Sequence, residues 1–358
     1  MAGVWKYASM RLFGRKDADE GAGRSQEAIA GFWTWWQETR PRLDALVAAG
    51  DKKGLDEVLG PAVAAVHPGL VWEVAPGGEA AHALVVTAAG DAELRPLAHR
   101  WAKAAPPSDL LWEFHASRRA NPRASELTIE AGGYELALGK FTLGLRVPPS
   151  QPRVDVTAYH PMFGELDADA RMEATLLALD HLLGEDDVAR WVGEIAPATF
   201  EPIDAVAAVH LPAVVADVAS GYSGEEWLRL EGRSGRGAAL VAEVRHPLRP
   251  VDRPLLDQHI AVSVPYKHRD GDGLPAGASL EALRDAEERL SALLDPRGDA
   301  VLAVHLSTEG QRLFHVYADS TGDAASHVKD LFTAWPEGRA RVEVTLDPSW
   351  SAVAPFLS

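Results

Sequence analysis

The chain has 358 residues, with 35 Lys+Arg against 52 Asp+Glu for a formal charge of −17, 47% hydrophobic and 24% charged residues, and no cysteine. This is the balance of a globular chain long enough for two domains, and the missing cysteine excludes disulfides, thiolate metal sites and cysteine nucleophiles. Excess acid repels phosphate backbones and anionic lipid alike, so nucleic acid is excluded as a partner and another protein is expected.

No run approaches the roughly 20 apolar residues that cross a bilayer, and the amino terminus lacks the apolar core of a secretory signal. A cytoplasmic protein without a transmembrane segment is expected. Residues 1–16 carry Lys6, Arg11, Arg15 and Lys16 without an acid, beside Trp5, Leu12 and Phe13, which would suit a peripheral membrane or partner contact. Met10 offers a second start. We read residues 1–24 as a flexible basic leader and linker, 25–225 as a larger N-terminal α+β domain with an antiparallel sheet, and 226–358 as a C-terminal domain.

Ser25 would cap a helix in which Ile29, Phe32, Trp33, Trp36, Leu43 and Val47 recur at helical spacing, with Pro41 kinking it or starting a second helix. A helix over 51–66, strands near 70–74 and 82–87, and a helix aligned on Leu94, Leu97 and Trp101 follow. Strands are expected at 110–115, 126–130, 134–147 and 153–159, with a hairpin turn at Gly132-Gly133. The next helix, carrying Met172, Leu176, Leu179 and Leu183, ends at Gly184. After a strand near 191–195 and an apolar helix over 205–219, strands are expected at 227–230 and 238–245.

The last hundred residues read most clearly. A strand at 258–266, a helix with Leu280, Leu283, Leu290, Leu293 and Leu294 on one face, a hairpin at 300–307 and 312–318, a helix with Val328, Leu331, Phe332 and Trp335, and a strand at 339–346 make β-α-β-β-α-β. That order predicts a ferredoxin-like unit, expected to fold alone from Val251 onward. A two-residue turn at Glu309-Gly310 sets His305 opposite Phe314 and His315 opposite Val304, on opposite faces of the sheet, so the two histidines cannot share a metal.

This stretch, roughly Leu255 to Trp350, resembles the domain of unknown function 695 family. The likeness rests on Asp272-Gly273-Leu274-Pro275, on Thr308-Glu309-Gly310 with Arg312, Phe314 and Tyr317, and on Asp347-Pro348-Ser349-Trp350. Phe32-Trp33-Thr34-Trp35-Trp36 and Leu182-Leu183-Gly184-Glu185 are similar to the N-terminal region that accompanies this domain in some bacterial proteins. The family has no established catalytic residues. Its association with a domain similar to small acidic inhibitors of ribonuclease E implies regulation by protein contact. Gly273, Pro275, Gly310, Arg312, Phe314, Tyr317, Asp347 and Trp350 are read as structural positions.

Motifs for catalysis are incomplete. Gly221-Tyr222-Ser223-Gly224 and Gly232-Arg233-Ser234-Gly235 lack the second glycine of a nucleophile elbow, and Gly235-Arg236-Gly237 meets Leu240 where a dinucleotide fingerprint needs glycine. Asp270, Asp272 and Glu281 fit three places of a calcium loop, but Leu274 and Pro275 spoil it. No cofactor and no metal site are expected. Among the 11 tryptophans, Trp35 and Trp36 are the candidates for a partner or interdomain contact, because the aromatic cluster spans more than one helix face. The expected function is therefore non-catalytic binding or regulation through protein contacts. The alternative is an enzyme of unfamiliar, hydrolase-like type, with acid and base drawn from distant positions.

Overall fold

The computed structural model describes residues 15–148, 153–222 and 224–357, so most of the basic leader, including Trp5, Lys6 and Arg11, lies outside the described residues. The chain runs α1 (Arg15–Ala49), α2 (Lys52–Val66), β1 (Val71–Pro76), β2 (His82–Thr87), α3 (Arg95–Lys103), β3 (Trp112–His115), β4 (Thr128–Ala131), β5 (Tyr134–Ala137), β6 (Thr142–Arg146) and β7 (Val154–Tyr159). It continues through α4 (Ala168–Leu183), α5 (Glu185–Trp191), β8 (Val192–Ala198), β9 (Val206–Ala207), α6 (Leu211–Ser220), β10 (Glu226–Arg233) and β11 (Ala239–His246). The last part is β12 (Gln258–Pro265), α7 (Gly277–Leu294), β13 (Ala300–Thr308), β14 (Gln311–Ala318), α8 (Ala324–Phe332) and β15 (Arg341–Leu346). The fold class is α+β.

Residues 17–24, expected as linker, are helical, and Ser25 lies inside α1 instead of capping it. Gly21 and Gly23 each cost about 1 kcal/mol there relative to alanine, and the surrounding Ala, Asp and Glu residues do not break a helix. Pro41 is also accommodated within α1.

Two compact units form, and neither is continuous in sequence. One gathers residues up to Asp51, Ala92–Arg100 and Glu225–Leu357; the other gathers Lys52–Asp91 and Trp101–Gly224. The block 25–225 read from the sequence is thus divided. The reason is α1, which buries Ile29, Phe32, Trp33, Trp36 and Leu43 and packs against β15 in the first unit.

The described residues of the second unit hold three small sheets, β1-β2-β3, β4-β5 and β8-β7-β6-β9, in place of the single antiparallel sheet expected. β2 and β3 pair in parallel, as do β7 and β8. Helical connections, α3 in one case and α4 with α5 in the other, return the chain to the same end of the sheet and impose that direction. The Gly132-Gly133 turn joins β4 to β5 with positive φ at both residues, as its composition requires.

In the first unit, six strands lie in the order β10-β11-β13-β14-β12-β15, all antiparallel neighbours. One face carries Ile260, Val262, Val264, Phe314 and Val316 against Leu283, Leu290 and Leu294 of α7 and Val328 and Phe332 of α8. The other face carries Val301, Val304, Leu306 and Tyr317 against Leu248, Leu256, Trp350 and Val353. With apolar neighbours on both sides, β13 is buried from Ala300 through Ser307.

The Glu309-Gly310 turn has φ of 50° and 80° at its two residues and sets Thr308 opposite Gln311. A β-branched residue at Gly310 would hold a left-handed conformation and drive its Cβ to 2.2 Å from the Arg269 guanidinium. Gly310→Val is therefore expected to cost about 1–3 kcal/mol, read as a lowered thermal midpoint; an unchanged midpoint would contradict the turn.

Candidate functional site

The helix-facing side of the six-stranded sheet changes character along a single row. Cross-strand register aligns Val342, Val262, Phe314, His305, Glu243 and Arg229 in that order. The first three are covered by the two helices. Beyond β13 the apolar cluster ends, and the row continues as His305, Glu243 and Arg229. The neighbouring row places Arg312 opposite Ser307. Helix α7 brings Arg284, Glu287 and Glu288 over this polar end, and the loop before it brings Asp270, Leu274 and Pro275. Together these residues line a cleft of about 470 Å³.

His305 is the buried centre of the cleft, 2% exposed. Its Nδ1 lies 2.7 Å from Arg312 Nη1. An arginine can only donate, so Nδ1 accepts and the neutral ring carries its proton on Nε2. That atom sits 3.1 Å from Glu287 Oε1 and 3.3 Å from Glu243 Oε2, yet has hydrogen-bond geometry to neither. Arg312 is itself buried, donates from Nε to Ser307 Oγ at 2.6 Å and lies 3.6 Å from Glu287 Oε2. The Trp227 ring packs 5.4 Å from the His305 ring, with the Arg245 guanidinium 5.2 Å above that tryptophan.

The electrostatics follow from this packing. Burial alone would raise the Glu287 carboxyl, but His305 beside it and the Arg312 charge outweigh burial and hold it below the ordinary carboxylate range. Burial presses the Arg312 guanidinium below its ordinary value, opposed by Glu287 and Glu243. Glu287 is thus an anion at neutral pH.

One ligand atom from each of Glu243, Glu287 and His305 lies within 4.8 Å of the others, a spacing open to a cation. The donor set does not suit a transition metal, because a metal-bound histidine hands its second N–H to an acceptor, whereas Nδ1 here faces the Arg312 donor. The arrangement suits a proton on Nε2 and a cationic ligand group on the two carboxylates.

Among the positions singled out from sequence, Asp270, Leu274, Pro275, His305 and Arg312 reach the cleft. The others lie in turns or core. Gly273 has φ of 81° and its carbonyl accepts from the Tyr266 hydroxyl at 2.9 Å. Phe314 is fully buried. Tyr317 stacks on Trp350 with ring centroids 4.0 Å apart and donates to Asp347 Oδ2 at 2.6 Å. Asp347 also accepts from the backbone N–H groups of Ser351 and Ala352, and Trp350 donates to the Leu256 carbonyl at 2.8 Å. Asp270 turns its carboxylate onto the N–H groups of Asp272 and Leu274, inside its own loop.

Trp36 is 1% exposed and lies buried in the aromatic cluster of α1. Trp35 is half-buried and lies 5.4 Å from the Phe32 ring. Glu243, Glu287 and the central place of His305 were missed. Glutamates on a strand and a helix read as ordinary surface acids until the β11–β13 pairing brings them together.

The cleft straddles a boundary visible by comparison with known proteins. Residues 248–358 match the family of unknown function DUF695. Glu287, His305, Ser307 and Arg312 lie inside the DUF695 region, while Arg229 and Glu243 come from the two strands that precede it. No curated protein and no solved structure matches the chain.

Proposed function

We propose that this is a cytoplasmic, non-catalytic binding or regulatory protein that engages another protein and not nucleic acid, and that the cleft receives a cationic side chain of that partner between Glu243 and Glu287. The observation that carries this reading is the convergence of two carboxylates on a buried histidine whose Nε2 has no well-formed hydrogen bond. Arg312, 3.6 Å from Glu287 Oε2, is held in place by Ser307 and His305. The net charge of −17 would steer a basic partner toward the chain. We read β12-α7-β13-β14-α8-β15 as a ferredoxin-like unit carrying this cleft, a reading supported by the strand order β13-β14-β12-β15 and by one apolar face shared with both helices.

The test titrates the full chain with N-acetyl-arginine amide and N-acetyl-lysine amide, followed by NMR. Saturable millimolar binding that weakens at least about tenfold in Glu243→Gln/Glu287→Gln is expected, since about 1.4 kcal/mol is a factor of ten and a charge-assisted hydrogen bond contributes about that or more. Absence of saturation, or equal binding by the variant, overturns the reading. Acid–base chemistry is a second reading, favoured by the same Nε2 proton facing two carboxylates. It would show as a reaction abolished in His305→Gln while ligand binding persists.

A further inference from the structure

The edge strand β10 is exposed at all eight residues, including Trp227 at 40%, Leu228 at 36% and Leu230 at 43%. It pairs with β11 on one side and, among the described residues, ends the sheet on the other. The opposite edge strand, β15, has α1 packed against it. A long open edge with apolar side chains on both faces presents unpaired N–H and C=O groups to any extended chain, and such edges are ordinarily blunted by proline, lysine or a short strand. β10 contains neither residue.

Its sequence, Glu226-Trp227-Leu228-Arg229-Leu230-Glu231-Gly232-Arg233, is complementary to itself when read antiparallel about Leu230. In that register Arg229 of one copy faces Glu231 of the other, twice over. Trp227 faces Arg233, a cation–π pairing, also twice. Leu230 faces Leu230 on the axis, and Leu228 faces Gly232. Moving the axis by one residue destroys the match. Centring on Arg229 sets that arginine against itself, and centring on Glu231 sets Glu231 against itself and Arg229 against Arg233. Like charges directly opposite in a sheet are destabilising, and opposite charges are favourable.

We propose that β10 is an isologous interface, at which a second copy of this chain pairs antiparallel about Leu230 and joins the two six-stranded sheets into one. This rests on the strand and its charges, and stands apart from what the cleft binds. A two-fold interface needs a self-complementary patch, and β10 supplies both backbone groups and matched side chains.

The absence of cysteine from the chain makes the register directly testable in the full-length protein. Directly opposed residues of an antiparallel pair have Cα atoms about 4.5–5.5 Å apart, within disulfide reach. Leu230→Cys should therefore form an interchain disulfide under mild oxidation. Leu228→Cys should not, because its counterpart lies four residues along the second strand, roughly 13 Å away. By light scattering the unmodified chain is expected at twice the monomer mass. Arg229→Glu should return it to monomer, and Arg229→Glu/Glu231→Arg should restore the dimer by swapping the charges across the axis. A monomer at about 100 μM, cross-linking of the two cysteine variants at equal rates, an Arg229→Glu variant that remains dimeric, or a double variant that stays monomeric would each overturn the proposal.

Discussion

Between pH 6.5 and pH 5 the protein is expected to lose about 3 kcal/mol of stability through two buried histidines on the face of the sheet away from α7. His259 and His315 are 5% and 7% exposed, stack with ring centroids 5.1 Å apart, and share a hydrogen bond of 2.9 Å between Nε2 of the first and Nδ1 of the second. Burial pushes His259 down to about 4. Burial, with the His259 charge second, pushes His315 down to about 3. The Asp347 carboxylate opposes both shifts without cancelling them.

In the unfolded chain each ring titrates near 6.5, so below that pH the unfolded state binds the extra protons. Their contribution is present above 6.5 and is lost as pH falls toward the folded values. Most carboxylates titrate below pH 5; Asp180, pushed up to about 7 by burial, takes up its proton in the folded state within this window and contributes with the opposite sign. His160 and His181 are shifted the same way by burial, so the decisive comparison is internal. Urea midpoints of the unaltered chain should fall steadily from pH 6.5 to 5, and His259→Leu/His315→Leu, which removes both partners of the hydrogen bond together, should flatten most of that slope. Parallel slopes would show that the pair is not the acid-labile element.

What could be read in the residues was local, and what could not was long-range. The turns Gly132-Gly133 and Glu309-Gly310 announce their hairpins because both positions need positive φ, and the second also fixes His305 opposite Phe314. The apolar spacing of α1 names its buried residues, Ile29, Phe32, Trp33, Trp36 and Leu43. Periodicity says that a face is buried, not against what. It is silent on α1 packing against β15 some 300 residues later, and on β11 choosing β13 as its neighbour. The cleft depends on that second choice: without it Glu243 is an ordinary strand acid, Glu287 an ordinary helix acid, and His305 a histidine beside a phenylalanine.

The same pairing predicts where the C-terminal half can be cut. A fragment beginning at Val251 keeps the whole β-α-β-β-α-β order but removes β11, leaving the outer edge of β13 bare along residues 304–308. It also removes Ala242, Val244 and Leu248 from the apolar cluster that covers Val304, Leu306 and Tyr317. Burying a valine or leucine contributes about 1.5–3 kcal/mol, so Val244 and Leu248 alone represent about 3–6 kcal/mol. Set against a whole-domain stability of about 5–15 kcal/mol, that loss is expected to leave the fragment without a cooperative transition. A fragment beginning at Glu225 retains β10, β11 and the Glu225 carboxylate that bridges Arg245 and Arg253 at 2.8 and 2.7 Å. It should melt cooperatively, at a lower temperature than the full chain because α1 is missing from β15. Calorimetry of the two fragments decides the matter: equal, cooperative melting would mean that β10 and β11 are appended to a self-sufficient sheet and that β13 tolerates an open edge.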